Sequence, residues 1–398
     1  MKNNIPQGYK ATALGIIPQE WEVKRLGEIC TYFKSGEGIT SKDISENGQY
    51  PVYGGNGLRG YTDKKYTHDG AYILIGRQGA LCGNINYVTG KCYISEHAIA
   101  VQTKGDLSWL RYKLDFWNLN RYSESSAQPG LSVEKLVRYK LTVPPLAEQQ
   151  KIAEVLGVWD EAIEKQARLI EKLALRKRGL MQRLLSAKLR LPGFSEPWQK
   201  VKLGDIGDTY NGLSGKNKDD FEYGNAQFIP YINVFSNERI DTNNLGCVQI
   251  KPNEQQNTVK YGDIFFTVSS ETPDEVGMAS VLLEHLDNTY LNSFCFGYRL
   301  NNFSTLNPFF AAYLFRTEHF RNYMSVLAQG STRFNISKKE VMKLKIDLPT
   351  IEEQTAIAEV LTAADREIEL AKEKLERLRR QKRGLMQQLL TGKRRIKY

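Results

Sequence analysis

EQQKIAEVL at residues 148–156 recurs as EQTAIAEVL at residues 353–361, and this repetition is the strongest indication of the fold. The match continues without a gap, because KRGLMQ at residues 177–182 returns at residues 382–387 with the same offset of 205. Self-similarity at a fixed offset indicates a repeated structural unit. The sequence therefore predicts two similar helical parts within one duplicated chain.

A second repeat opens the part of the chain that precedes each helix. WEVKRLGEI at residues 21–29 returns as WQKVKLGDI at residues 198–206, with an offset of 177. The two offsets, 205 and 177, differ by 28. Each half therefore consists of a variable globular part and a similar helical part, and the second globular part is longer by 28 residues.

Each repeat predicts a long helix of about 39 residues with an apolar seam. Apolar residues recur at alternating steps of three and four, flanked by Glu, Lys and Arg, which is the pattern of a coiled coil. Thr350 with Glu353 predicts a capping box at the second helix. Two matched seams in one chain can cover each other, although each helix could instead pack on its own domain. The seam residues are Leu156, Trp159, Ile163, Ile170, Leu173, Leu180, Leu184 and Leu361, Ala364, Ile368, Leu375, Leu378, Leu385, Leu389.

The connections predict that the two helices run antiparallel. The linker LPGFSEP at residues 191–197 leads from the end of the first helix into the second globular part, which then leads into the second helix. Parallel helices would require that linker and one domain to cross roughly 58 Å, the length of such a helix. We therefore expect similar domains at opposite ends of a helical spacer, related by a pseudo-two-fold axis.

The globular parts are expected to be β-rich. Short apolar runs lie between turns rich in Gly and Asn, helical stretches follow near residues 107–117 and 307–325, and capped helix starts are predicted at Ser132 and, as a capping box, at Ser337 with Glu340. The predicted fold class is α+β, with two β-rich mixed α/β domains joined by a long antiparallel coiled coil. The apolar runs are Ala71–Ile75, Ala98–Val101, Asp263–Thr267 and Ser280–Leu283.

Composition narrows the function classes. The formal net charge is +10 and the sequence pI is about 9.1, which favours an anionic partner, nucleic acid first. The apolar runs are far shorter than the roughly 20 residues of a membrane span, and MKNNIPQGYK at residues 1–10 lacks the apolar region of a signal peptide. Five scattered cysteines without C-x-x-C spacing favour a reduced, cytoplasmic protein over a disulfide scaffold or a zinc site.

Catalytic motifs are missing from the sequence. GNGLRG at residues 55–60 matches G-x-G-x-x-G, but more turn residues follow it, so it predicts a turn that approaches a partner rather than a dinucleotide site. GLSGKN at residues 212–217 lacks the Walker spacing. The sequence holds no Asn-Pro-Pro-Tyr or Asp-Pro-Pro-Tyr methyltransferase motif, DEAD-type helicase motif or G-x-S-x-G elbow, and its four histidines have no metal-ligand spacing. We predict no catalytic and no metal-binding residue.

The repeated stretches resemble a known family. VPPLAEQQKIAEVL at residues 143–156 and LPTIEEQTAIAEVL at residues 348–361 are similar to the conserved regions of type I restriction-modification specificity subunits. The two KRGLMQ copies and the domain openings at Trp21 and Trp198 add to the resemblance. GGNG at residues 54–57, followed by GRQG, looks like one class of their target-recognition domains.

The resemblance implies a non-catalytic, DNA-binding subunit. In that family each globular domain reads one half of an interrupted site on double-stranded DNA, and the helices set the gap. Two copies of a methyltransferase (modification) subunit then methylate adenine with S-adenosylmethionine, and restriction subunits add translocation and cleavage driven by ATP. S-adenosylmethionine, ATP and Mg are therefore expected on partner subunits, with no cofactor in this chain and no membrane partner.

Four segments follow from the resemblance and the repeats. Residues 1–146 are expected to form target-recognition domain 1 with an N-terminal segment, and residues 147–190 the first spacer helix. Residues 191–350 are expected to form target-recognition domain 2, and residues 351–398 the second spacer helix.

Polar side chains on loops are the candidate DNA contacts, because bases and phosphates are contacted mainly by Arg, Lys, Asn, Gln and hydroxyl groups. Any one of them could equally be a solvated loop residue. In the first domain the candidates are Arg59, Lys64, Lys65, Arg77, Gln78, Asn84 and Asn86. In the second domain they are Lys216, Lys218, Ser269, Ser270, Arg333 and Asn335.

Two other function classes compete with this interpretation. A stand-alone coiled-coil DNA-binding regulator would need no methyltransferase partner. A nuclease or methyltransferase with an unrecognised active site would need catalytic residues that the motif search does not find. An adenine methyltransferase gene beside this one would favour the specificity subunit.

Overall fold

A computed structural model describes residues 5–79, 81–123 and 130–396. The chain divides into two compact units, of which unit 1 contains residues 1–168 and 372–398 and unit 2 contains residues 169–371. Each unit thus holds one globular domain, the beginning of the long helix that follows it and the end of the other long helix. The predicted segment ends at residues 1 and 398 lie outside the described residues.

Unit 1 is built on an antiparallel four-stranded sheet and a three-stranded sheet that contains one parallel strand pair. A four-stranded sheet in the order β4-β10-β7-β8 lies beside a three-stranded sheet in the order β6-β5-β9, and two strand pairs, β1-β2 and β11-β3, complete the strands. The strands are β1 (Tyr9–Thr12), β2 (Gly15–Pro18), β3 (Glu22–Arg25), β4 (Cys30–Ser35), β5 (Tyr50–Gly54), β6 (Gly57–Thr62), β7 (Tyr72–Gly76), β8 (Ile85–Val88), β9 (Tyr93–Ile94), β10 (Ala98–Thr103) and β11 (Lys140–Val143). The helices are α1 (Leu26–Ile29), α2 (Leu107–Trp117), α3 (Val133–Leu136) and the long α4 (Leu146–Leu184).

Unit 2 repeats this topology. The four-stranded order β13-β20-β16-β18 corresponds to β4-β10-β7-β8, and β15-β14-β19 corresponds to β6-β5-β9, including the one parallel pair that each three-stranded sheet contains. Its strands are β12 (Gln199–Lys202), β13 (Gly207–Asn211), β14 (Phe221–Ile229), β15 (Gly246–Val248), β16 (Ile264–Thr267), β17 (Ser269–Ser270), β18 (Ala279–Val281), β19 (Thr289–Leu291), β20 (Cys295–Leu300), β21 (Phe334–Asn335) and β22 (Lys345–Leu348). The helices are α5 (Leu203–Ile206), α6 (Tyr231–Ser236), α7 (Pro308–Leu314), α8 (Glu318–Val326), α9 (Lys338–Val341) and the long α10 (Ile351–Leu389).

Three of the apolar runs that the sequence indicated overlap the central strands β7, β10 and β16, whereas the run Ser280–Leu283 overlaps the edge strand β18. Ile73, Leu74 and Ile75 on β7 are fully buried, as are Phe265 and Phe266 on β16, because strands in the middle of a covered sheet bury both faces. The predicted helix at residues 107–117 is α2. The predicted stretch at residues 307–325 is instead two helices, α7 and α8, since the Thr317 side chain accepts a hydrogen bond from Phe320 N at 3.3 Å and begins a new helix.

The two long helices are confirmed, and each has 39 residues. Their predicted seams are buried or half-buried throughout. Within unit 1, Asp160 pairs with Lys382 at 2.5 Å and the earlier Glu148 pairs with the later Arg395 at 2.7 Å. In these ion pairs the residue number increases along one half of the chain while it decreases along the other, which shows that the two helices are antiparallel. The ion pairs of unit 2 show the same order. Those ion pairs are Lys177–Asp365 at 2.7 Å and Arg190–Glu353 at 2.7 Å.

The two predicted capping boxes were wrong in detail. Thr350 Oγ1 does accept a hydrogen bond from Glu353 N at 3.4 Å, but the Glu353 carboxylate binds Arg190 instead of returning to the helix start. Ser337 begins α9 without a side-chain cap, and Glu340 pairs with Lys343 at 2.6 Å. In both cases the Glu carboxylate, which the local pattern predicts to bind the backbone at the helix start, binds a charged side chain instead.

Candidate nucleic-acid interface

Three of the predicted residues of the first domain, Arg59, Arg77 and Gln78, lie where β5 turns into β6 and where β7 ends. Gly54 pairs with Gly57 across a tight turn, so Gly55 and Asn56 form the tip of a hairpin. A side chain at Gly55 would meet His97 O at 2.8 Å and Gly76 Cα at 3.0 Å, so only glycine allows the tip to lie against the loop that follows β7. GNGLRG thus forms a turn, as predicted, and no helix begins there.

Two open clefts meet at Gln78. One has a volume of about 360 Å³ and is lined by Asn56, Arg59 and His97 besides Gln78. The other, of about 480 Å³, is lined by Ser35 and Arg77 besides Gln78, and by residues 130–134. We define loop face 1 as Ser35, Asn56, Arg59, Arg77, Gln78 and His97.

Loop face 1 combines a hydrogen-bonded backbone with polar side chains. Arg77 N donates to His97 O at 2.9 Å, and Leu131 N donates to Arg77 O at 2.9 Å, so the loop is held from both sides. Gln78 Oε1 lies 3.3 Å from His97 Nδ1, and His97 Nε2 lies 3.3 Å from the Glu96 carboxylate. The face therefore offers two guanidinium groups, two amides, a hydroxyl and an imidazole, which are groups that hydrogen-bond to base edges and phosphates.

Four candidates of the first domain lie outside loop face 1. Asn86 donates to Gly55 O at 3.4 Å and thereby braces the hairpin tip from behind. Asn84 is exposed at the start of β8. Lys64 and Lys65 lie just after the end of β6 that is farther from the hairpin tip. Lys64 forms an ion pair with Asp43 at 2.8 Å, and this interaction lowers the pKa of Asp43. The structure thus brings together Arg59, Arg77 and Gln78 on loop face 1, places Asn86 behind the hairpin tip, and leaves Asn84, Lys64 and Lys65 apart from them.

In the second domain, three candidates meet on a short strand pair. Ser269 on β17 lies opposite Asn335 on β21, and Arg333 precedes that strand with an exposed side chain. Ser270 is buried instead, with its hydroxyl donating to Glu275 at 3.2 Å. This hydrogen bond holds a loop, so the geometry does not present Ser270 to a partner.

Lys216 and Lys218 differ in availability. The Lys216 side chain is 3% exposed and donates to Glu254 at 2.6 Å and to Gln249 O at 2.6 Å. The ammonium group lowers the pKa of Glu254 to about 2, helped by backbone and amide hydrogen bonds. Lys216 therefore stabilises its own loop and would have to break an ion pair to bind a phosphate. The glycines near Lys216 in the sequence do not reveal this ion pair. Lys218 is exposed in the next turn.

Matching backbone hydrogen bonds identify the counterpart of loop face 1. Val268 N donates to Phe294 O at 2.8 Å as Arg77 N does to His97 O, and Ile336 N donates to Val268 O at 3.0 Å as Leu131 N does to Arg77 O. We define loop face 2 as Asn211, Ser269, Phe294, Arg333, Asn335 and Lys338. Asn211 and Ser35 hold equivalent places at the ends of β13 and β4.

Sequence reasoning missed several of these residues. Asn56, His97 and Ser35 line the clefts of the first domain, and Lys338 donates to Asn211 Oδ1 in the second. In the sequence, Lys338 lies within the predicted helix start between Ser337 and Glu340 and carries no binding signal of its own. Aligning Ser132 with Ser337, the residues before α3 and α9, would have placed Lys338 opposite Val133 of the first cleft.

Other kinds of site find little support in the described residues. The five cysteines are free, and no group of three or more His, Cys, Asp or Glu side chains in residues 5–79, 81–123 and 130–396 is arranged to hold a metal ion. None of the helices formed by those residues is both long enough and apolar enough to cross a membrane.

Comparison with known proteins agrees with this picture. A type I restriction modification DNA specificity domain matches the chain twice, at residues 18–174 and 195–380. The chain is 42% identical over 160 residues to the type I restriction enzyme EcoprrI specificity subunit of Escherichia coli, a match that covers 38% of this chain and only 39% of that subunit. It is 26% identical over 410 residues to the MjaVIII specificity subunit of Methanocaldococcus jannaschii, covering 96% of this chain and 94% of the other.

A solved structure shows the same fold. The S subunit of a type I restriction-modification system from M. genitalium superimposes with a TM-score of 0.58 at 17% identity, covering 98% of this chain and 97% of that one. The predicted fold class, two β-rich domains with long antiparallel helices in a duplicated chain, is confirmed.

Proposed function

This chain belongs to the type I restriction-modification DNA specificity family, and we propose that it directs partner subunits to a two-part, asymmetric DNA site. The first domain reads one half of that site and the second domain reads the other. One observation carries the proposal: loop faces 1 and 2 occupy equivalent positions on a duplicated frame and present different side chains. Different side chains at one position recognise different bases.

Charge supports DNA as the ligand. The chain has a formal net charge of +10, and Arg59 and Arg333 are exposed on the two loop faces. Contacts to phosphates position a protein on the duplex, and contacts to base edges give sequence preference. Membership of this family, with a relative matched over 96% of the chain, favours the specificity subunit over a stand-alone coiled-coil regulator.

The chain itself is non-catalytic in this proposal. Two modification subunits, one on each similar helical repeat, methylate adenine with S-adenosylmethionine, and restriction subunits use ATP and Mg for translocation and cleavage. A duplicated surface suits two copies of one partner, because the same contacts recur. The absence of methyltransferase, helicase and hydrolase motifs from the sequence supports this division of labour.

The experiment is methylation mapping with and without a partner. The chain is expressed with a type I modification subunit, and methylated adenines are located by sequencing. We expect methylation at one interrupted sequence with two different halves, and none with the modification subunit alone. Methylation without sequence preference would contradict the proposal. So would methylation or cleavage by the purified chain given only DNA, S-adenosylmethionine, ATP and magnesium.

A further inference from the structure

The two loop faces differ in polarity at matched positions. Phe294 takes the place of His97. The Phe294 carbonyl accepts a hydrogen bond from Val268 N at 2.8 Å, and the His97 carbonyl accepts one from Arg77 N at 2.9 Å. Val268 and Arg77 are each the first residue after a central strand. Val268 thereby takes the place of Arg77. An imidazole and a guanidinium in the first domain are thus replaced by an aromatic ring and an isopropyl group in the second.

The hairpin tip is replaced as well. Asn292 N donates to Ile229 O at 3.1 Å as Ser95 N donates to Tyr53 O at 2.8 Å, so Ile229 matches Tyr53. The residues after Ile229 therefore occupy the place of the Gly54–Asn56 tip, and they include Ile232. The Tyr231 hydroxyl donates to Ser269 O at 3.0 Å, which fixes this segment against loop face 2.

Phe294 and Ile232 are each 57% exposed. Single exposed apolar residues are ordinary on protein surfaces and need no explanation. These two, however, occupy the positions that carry hydrogen-bonding groups in loop face 1, beside the basic side chains of Arg333 and Lys338 in loop face 2. Phe294 is also held in place, because its backbone N donates to Asn292 Oδ1 at 2.8 Å.

We propose that Phe294, assisted by Ile232, contacts the 5-methyl group of a thymine in the half-site read by the second domain. This inference rests on the proposed function and names the base chemistry that the second domain prefers. The thymine methyl is the one apolar group that the major-groove edges of the bases present, and Phe side chains contact it. The neighbouring cations favour a DNA strand over an apolar protein surface as the occupant of this face.

The test removes single methyl groups from the DNA. The site is first located by methylation mapping of the complex with its modification subunit. Duplexes carrying that site are then made with each thymine in turn replaced by deoxyuridine, which keeps the base pair and lacks only the methyl. We expect one such replacement in the second domain's half-site to weaken binding about fourfold, the value of one buried methyl group.

Variants assign the effect to the side chain. In the complex with Phe294→Ala, thymine and deoxyuridine duplexes should bind equally, whereas Phe294→Leu should keep most of the difference. Phe303→Ala is the matched control, because Phe303 is 43% exposed beyond the other end of β20. It should leave the thymine preference unchanged.

The outcomes separate the two proposals. If no deoxyuridine replacement in that half-site weakens binding, or if the half-site contains no thymine, the methyl contact is overturned while two-part recognition stands. If Phe294→Ala retains the full thymine preference, the contact belongs to another residue and the inference fails. A complex that binds a duplex with the mapped site no more tightly than an unrelated duplex would instead contradict the proposed function.

Discussion

The places where each domain meets the long helices are built alike in the two units, whereas the loop faces are not. In unit 1 the Asp160 carboxylate accepts hydrogen bonds from the Tyr112 hydroxyl at 2.6 Å and from Lys382 at 2.5 Å. In unit 2 Asp365 has the equivalent partners, Tyr313 at 2.6 Å and Lys177 at 2.7 Å. Each lysine also lies over the ring of its tyrosine, at 5.0 Å and 5.4 Å.

The third member of each cluster shows what is required there. Arg111, on α2 beside Tyr112, lies 3.1 Å from Asp160. In unit 2 the corresponding charge comes from Arg239, which lies 3.8 Å from Asp365 and belongs to a different part of the chain, the longer connection after α6. The helix junction thus keeps its arrangement of charges even where the residue that supplies one of them has changed.

The loop faces follow the opposite rule. Their backbone hydrogen bonds match, yet Val268 is the structural equivalent of Arg77 and Phe294 is the structural equivalent of His97. A fixed backbone with variable side chains allows each domain to change its preferred bases without disturbing the frame. The comparison therefore separates residues that hold the molecule together from residues that read DNA.

The largest expected effect concerns the buried carboxylates of the helix junctions. Glu148 is fully buried, binds Arg395 and accepts a hydrogen bond from the Trp21 indole at 2.9 Å. Glu148→Ala should lower the free energy of unfolding of unit 1 by about 3–4 kcal/mol, because it leaves the buried Trp21 donor without its acceptor and leaves the half-buried Arg395 to the exposed Glu20 carboxylate. Urea unfolding followed by tryptophan fluorescence measures this.

Glu353→Ala is the matched variant in unit 2 and should cost less. Trp198 Nε1, the counterpart of the Trp21 donor, has no hydrogen-bond acceptor among the described residues, so this variant orphans no indole. Glu148→Gln, which keeps an acceptor for Trp21, should fall between wild type and Glu148→Ala. Equal losses for Glu148→Ala and Glu353→Ala would show that the indole contributes nothing.

A smaller effect depends on pH and on unit 1 alone. Lys113 is buried, donates to Leu390 O at 2.6 Å at the end of α10, and burial lowers its pKa to about 8. Because the folded pKa lies below the unfolded value of about 10.4, the cost of burying the charged ammonium is fully present below pH 8. It is relieved as pH rises towards about 10.5, by on the order of 3 kcal/mol at most.

Lys113→Met should therefore remove this pH-dependent gain in the free energy of unfolding. Leu314 follows Tyr313 as Lys113 follows Tyr112, so unit 2 has an apolar residue at the matched position. Comparing wild type and variant by urea unfolding at pH 7.5, 8.5 and 9.5 separates the contribution of Lys113 from that of other groups that titrate in this range. Parallel pH profiles for the two proteins would contradict it.

The smallest effect in free energy is on recognition. Arg77→Ala should weaken binding to the cognate site by about 1–3 kcal/mol more than binding to non-specific DNA, if Arg77 makes a bidentate contact to guanine. Val268→Ala, at the matched position of the second domain, removes no hydrogen-bonding group and should change the ratio little. Competition binding with the assembled complex measures both. An equal loss on both DNAs would make Arg77 a phosphate contact.

Periodic features were predictable from the sequence because they depend on local spacing. The heptad steps gave helices of the observed length, and the runs around Ile73 and Phe265 gave central strands. The capping box at Thr350 failed because Glu353 binds Arg190, a residue 163 positions away that local patterns do not reveal.

The candidate site was predicted only in part, for the same reason. Arg77 and Gln78 could be chosen because glycines flank them, and they do line the clefts. Lys216 also lies beside glycines in the sequence, yet its ammonium group forms an ion pair with Glu254. His97 and Phe294 enter the loop faces through pairing between distant strands, which becomes visible only when the two folded domains are compared.

The most direct test of the central claim is a domain exchange. Residues 20–145 are replaced by the corresponding segment of a relative, which leaves the long helices and the second domain unchanged. Methylated adenines are then mapped for the chimera with its modification subunit. We expect one half of the two-part site to change while the other half stays the same. A site whose two halves change together, or neither of which changes, would contradict independent reading by the two domains.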